Sequence, residues 1–211
     1  MRTVCCKFIG LFRMAGFLLL TAVATDGHAI PAFAASGGEG TQELRKATAL
    51  SWVNAIEIGD RQTLARLTSE SFIFRTAGAD RACEGRVEGT SARMKWLRCV
   101  HARRDIEEFA LAMRLLRQAM RENPKDESEL KDYLPNVVEG EGWGGHYQTA
   151  ELHKAKRAFQ ALQREAGGLN DWTVITASWL YTSIIFRVQL DASSTAPRVR
   201  AVLVEMSRGA D

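Results

Sequence analysis

Regular apolar spacing is clear by residue 49. Ala49, Trp52, Val53 and Ile56 fall at i, i+3, i+4 and i+7, which gathers them on one face of an α-helix. Thr41 is placed to cap the start of that helix. Gly59 is placed to stop it, because glycine enters the left-handed conformation without the steric penalty of a Cβ. Asp60 can cap a second, short helix whose apolar face is Leu64 and Leu67. The stretch SFIFRT (71–76) then changes to period two, with Phe72 and Phe74 on one side of a strand and Ile73 and Arg75 on the other. The pattern predicts two helices packed as a corner, feeding directly into a sheet.

Residues 77–90 are rich in glycine, alanine and charge and read as an irregular excursion. Met94, Trp96, Leu97 and Val100 indicate a short helix over 91–100. The strongest helical pattern follows: Ile106, Phe109, Met113, Leu116 and Met120 alternate steps of three and four. Asp105 and Glu108 before it have capping-box spacing, and Asn123-Pro124 ends it. Residues 124–145 read as a long surface connection dominated by glycine, proline and acid. Leu152, Ala155, Phe159 and Leu162 mark one more helix, closed by Gly167-Gly168. After Asp171 the chain turns β-rich. WTVITAS (172–178) is a strand or the start of one bent strand. WLYTSIIFRVQL (179–190) places Leu180, Ile184, Phe186, Val188 and Leu190 on one face and Trp179, Tyr181, Arg187 and Gln189 on the other. DASSTAP (191–197) is turn-forming, and RVRAVLVEM (198–206) is the antiparallel partner.

The first residues carry a different signal. Arg2 and Lys7 precede an apolar run over Met14–Ala24, and Ala32-Phe33-Ala34 is a small-x-small site, the order of a secretory signal peptide. We therefore expect residues 1–34 to be a signal and 35–211 to be one α+β domain, secreted or periplasmic. Removing that leader takes Arg2, Lys7, Arg13 and Asp26 from totals of 28 basic and 25 acidic residues, so the mature charge is near +1. Such a balance offers no electrostatic footprint for nucleic acid, and nothing after residue 34 is long and apolar enough to span a membrane. Cys83 and Cys99 are the cysteines left after cleavage, and an oxidising destination favours their pairing over two free thiols. Their spacing lacks the short Cys-x-x-Cys turn of a metal pair.

The ordering resembles the nuclear transport factor two-like, or cystatin-like, α+β cone. Residues 51–76 carry the resemblance, especially Trp52, Gly59-Asp60, Leu64, Leu67 and Phe72-Ile73-Phe74, and the terminal hairpin over 179–206 agrees. The resemblance implies a curved antiparallel sheet wrapped around a long N-terminal helix, here with extra helices inserted over 77–170. It also implies a cleft between that helix and the sheet. The family includes isomerases, cyclases and dehydratases as well as binding proteins, and its isomerases use a tyrosine on the first helix that this chain lacks.

Chemistry is less legible. There is no Gly-x-Ser-x-Gly and no phosphate-cradling Gly-x-x-x-x-Gly-Lys. His146 and His153 stand two helical turns apart, too far for one ion if both are helical. We expect no metal and no cofactor and assign no catalytic residue. Trp52, Arg75, Trp96, Trp179, Tyr181 and Arg187 are the candidate ligand-binding residues, with Trp143, Tyr147 and Trp172 as further aromatics for an apolar cleft and Glu57 as a further polar contact. The expected role is an exported module binding a small apolar ligand or a protein partner. The alternative is an extracytoplasmic enzyme doing acid–base chemistry of isomerase or dehydratase type on an apolar substrate. The stripe over 106–120 reads as core, or as a face for a partner helix or a second copy of the chain.

Overall fold

Helix α1 (Glu39–Ile58) starts two residues ahead of the expected cap and buries Ala49, Trp52, Val53 and Ile56 as the spacing requires. Gly59 ends it at φ +74°. One Asp60 oxygen accepts from the backbone N–H groups of Gln62 and Thr63, each at 3.0 Å, and opens α2 (Arg61–Leu67). Those hydrogen bonds, the Thr63 N–H first, hold the Asp60 carboxyl below its ordinary pKa. The chain passes straight into β1 (Thr68–Thr76). The structure, a computed structural model, describes residues 39–78, 81–140, 149–168, 171–193 and 195–208. The proposed leader lies outside them, and the described residues all belong to one unit, Ala34–Asp211.

Beyond β1 come β2 (Gly85–Glu88), α3 (Thr90–His101), α4 (Arg104–Glu122), the single turn α5 (Glu127–Leu130) and β3 (Asn136–Val138). Then follow α6 (Thr149–Glu165), β4 (Trp172–Trp179), β5 (Thr182–Leu190) and β6 (Val199–Arg208). The strands form one open sheet in the order β2-β1-β6-β5-β4-β3. This makes the protein α+β, with six α-helices and six strands among the described residues.

Three expectations need correction. The sheet is mixed rather than antiparallel throughout, because β1 runs parallel to β6, with Phe74 opposite Val202 and Thr76 opposite Val204. Local periodicity sets which side chains share a face and is blind to the direction of the neighbouring strand. The apparent single strand over 179–190 is broken at Leu180-Tyr181, a two-residue turn between Trp179 and its partner Thr182. Leu180 therefore leaves the expected apolar face and is 90% exposed at φ +50°, a backbone state normally given to glycine or asparagine, so its side chain conceals the turn. Finally, two short strands lie inside segments read as irregular. β2 follows the 77–84 excursion, and β3 interrupts the 124–145 connection. Each is too short for alternation to show.

Helices cover both faces of the sheet. One face carries Phe72, Phe74, Val202, Val204, Ile184, Phe186, Val188 and Ile175, packed under Trp52, Ile56, Leu97, Ile106, Phe109 and Met113 of α1, α3 and α4. The stripe beginning at Ile106 is thus core at its first three members, as one reading expected. The other face meets α6 through Ile73, Ala201 and Leu203 against Phe159 and Leu162 of that helix and Ala166 just after it. Cys83 and Cys99 are joined, with Cα atoms 5.8 Å apart, and the bond ties the 77–84 excursion to the last turns of α3. A 16-residue separation makes that cross-link worth about 3 kcal/mol in the chain-entropy account. Unfolding in urea with and without reductant should differ by about that amount, and equal curves would show that the bond does not constrain the unfolded chain.

Candidate functional site

Arg45 lies one turn before Ala49, so it occupies the buried stripe of α1 at a position where an apolar residue is expected. Its stem runs inward, and its guanidinium reaches the far ends of two strands. Nη1 donates to the Asp191 carbonyl at 2.7 Å and Nη2 to the Leu190 carbonyl at 3.3 Å, just where β5 ends. Nη2 also pairs with Asp171, before β4, at 2.8 Å. The Nε atom is buried and has no hydrogen-bond partner among the described residues.

Beside this clamp is a cavity of about 290 Å³ lined by Gln42, Arg45 and Lys46 of α1 and by residues 137–140 and 171–174. The helix side brings two cations and an amide. The sheet side brings Glu139 and Asp171, with Val137, Val138, Trp172 and Val174 as apolar wall. Lys46 meets Glu43 at 3.0 Å on the surface, a pairing that solvent makes weak and easily exchanged. Strand β3 borders this cavity and forms an edge of the sheet.

A second polar region lies on the face toward α6. Register puts Asn136, Thr176, Ile185 and Glu205 in one row and Ser178, Ser183 and Ser207 in the next. Glu205 and Arg187 are buried there, with Arg187 Nε donating to Glu205 Oε1 at 2.6 Å. The Arg187 guanidinium also stands over the Phe159 ring, 5.1 Å from its centroid.

The six candidate binding residues do not converge. Trp52 is fully buried and its Nε1 donates to Thr68 Oγ1 at 2.9 Å. Trp96 lies edge-on to Phe72 and Phe74 and donates to the Cys83 carbonyl at 2.7 Å. Trp179 is half-buried against Phe109, and Tyr181 is exposed on the turn beside it. Arg75 pairs with Glu165 of α6 at 2.8 Å, and it shares a face and a register row with Arg187. Glu57 is held by Arg117 of α4 at 2.7 Å. Of the further aromatics, Trp172 does line the cavity, while Trp143, Tyr147 and His146 lie outside the described residues. Sequence reasoning missed Gln42, Arg45, Lys46 and Glu139. The one readable signal was Arg45 itself, a cation on an otherwise apolar helical stripe.

Among the described residues no group of three or more His, Cys, Asp and Glu side chains is placed to hold a metal. None of their helices is long and apolar enough to cross a membrane. His101, at the end of α3 and away from the cavity lining, has its pKa lowered, first by burial and then by the charge of Arg61. No family model, curated protein or solved structure matches the chain.

Two tests address these groups. Arg187→Met should cost about 3–5 kcal/mol in urea unfolding, because it strands the buried Glu205 charge. Adding Glu205→Leu should recover most of that loss, and a double variant as weak as the single would show that the pair is not the unit. The second test is pH. A folded pKa below the unfolded value means that the unfolded chain binds more protons, so the stability linked to His101 is complete above about pH 6.5 and falls as pH drops below it. His101→Gln should flatten the decline measured between about pH 7 and pH 5. A slope that the substitution leaves unaltered would contradict the burial of a neutral imidazole.

Proposed function

We propose that this chain is an exported binding module of the nuclear transport factor two-like, or cystatin-like, kind, with its ligand seated in the Arg45 cavity. The carrying observation is that cations from α1 and carboxylates from the sheet side meet around one cavity of about 290 Å³. Support for the cone-like reading comes from α1, whose apolar stripe packs on the same sheet face as Phe186 and Val202. Support for export comes from the leader pattern and from a disulfide, which persists in oxidising compartments.

The ligand class follows from the lining. A wall carrying both signs, with Trp172 and two valines between them, suits a small zwitterion of amino-acid or dipeptide size better than a wholly apolar molecule. Binding is favoured over acid–base catalysis because, among the described residues, the histidine with a lowered pKa, His101, is not in the lining.

Titration calorimetry and thermal-shift measurements with free amino acids, dipeptides, simple carboxylates and simple amines test this reading. The zwitterions should raise the melting temperature, and Lys46→Met or Glu139→Gln should weaken their binding about tenfold each. No response to any zwitterion at millimolar concentration would overturn the assignment.

A further inference from the structure

Helix α4 has a second apolar feature on the side turned away from its core stripe. Ile106, Phe109 and Met113 are buried, whereas Leu111 and Leu115 are 51% and 56% exposed. The two leucines are four residues apart and so lie one above the other on the outer surface. Arg104, Glu107, Arg114, Gln118, Arg121 and Glu122 are exposed along the same helix. Two scattered leucines alone would carry no meaning. Their charged surroundings are ordered, however. Asp105 is engaged by Arg103, and Arg117 by Glu57, so both are neutralised within the fold. The exposed charges that remain put Arg104 and Glu107 at one end of the helix, Arg114 at its middle, and Arg121 and Glu122 at the other end.

We propose that this face binds a second copy of the chain, α4 against α4 in antiparallel orientation, across a two-fold axis level with Met113. That axis sets Leu111 against the partner's Leu115 and the reverse, as an isologous interface requires. The same register brings Arg104 opposite the partner's Glu122. It sets Glu107 on the same side as the partner's Arg121, two residues or about 3 Å out of step along the axis, within reach of the long arginine side chain. Each opposite-sign pair is made twice. Ala119, a small side chain, flanks the other side of the leucine seam. In a parallel dimer the residues in line with the leucine seam would face their own copies, so Arg104 would meet Arg104 and Glu122 would meet Glu122, which is repulsive. Charge order along the helix therefore selects both the partner and its direction. One unfavourable contact is part of the same register: Arg114 falls beside its own symmetry mate on the axis.

This proposal is independent of the cavity and extends to no ligand. Sedimentation and light scattering of the purified protein over a concentration series should give the dimer mass at the upper end. Leu111→Ser with Leu115→Ser should yield a monomer whose melting temperature, read at a concentration where the parent is also monomeric, stays near the parent value, since both side chains are half-exposed. Glu107→Arg alone and Arg121→Glu alone should each weaken association about tenfold. The two together should restore it, because the swapped charges again pair across the axis. Arg114→Ala should tighten it. A monomer at every concentration overturns the proposal. So does a dimer indifferent to the leucine substitutions, or a charge-swapped variant no stronger than the singles.

Discussion

Two charges buried between the central strands constrain how this sheet is covered. Arg187 on β5 and Glu205 on β6 are withdrawn from water almost completely. Either charge alone would cost several kcal/mol in that setting. The pair is tolerable only with its guanidinium hydrogen-bonded and an aromatic face against it, and Phe159 of α6 supplies that face. The α6 side therefore cannot be an apolar slab like its opposite. It mixes Ile73, Leu203 and Leu162 with Arg187, Glu205 and the hydroxyl row, and α6 is held over it by the Arg75–Glu165 pair.

The opposite face shows the complementary solution. There the sheet is apolar across β1, β6, β5 and β4, and helices α1, α3 and α4 bury it. Some polar atoms on that side are satisfied by short local bonds, such as Trp52 to Thr68 and Thr68 to the Leu64 carbonyl. Arg45 lies at the boundary of this arrangement. It takes a stripe position on α1 yet must reach polar partners, and it finds them in backbone carbonyls exposed where β5 ends. The cavity lies beside this boundary, and its lining carries charge from both the helix and the sheet side.

Much of the fold was legible wherever a segment was long and one-sided. The α1 stripe, the Gly59–Asp60 corner, the alternation in β1 and the apolar face of α6 each occupy enough residues for period to speak. Short elements were not legible. β3 spans 3 residues and β2 spans 4, and neither alternates long enough to stand out from a loop. The break at Leu180-Tyr181 was hidden for a different reason. The residues suit a strand, and the turn exists because Trp179 and Thr182 pair across it. The candidate site was the least legible part. Its lining comes from three separated stretches, and only Arg45 was out of place in its own pattern.

By itself the amino-acid order determined which residues share a face of each long element and where α1 stops. These are local properties, set by backbone geometry and by the side chain at each position. Tertiary structure alone decided that β1 runs parallel to β6, that Arg187 faces Glu205, and that Arg45 closes on Asp191 and Asp171. Such choices depend on contacts between residues far apart in the chain, whose energies appear only once the strands are paired and water has been excluded between them.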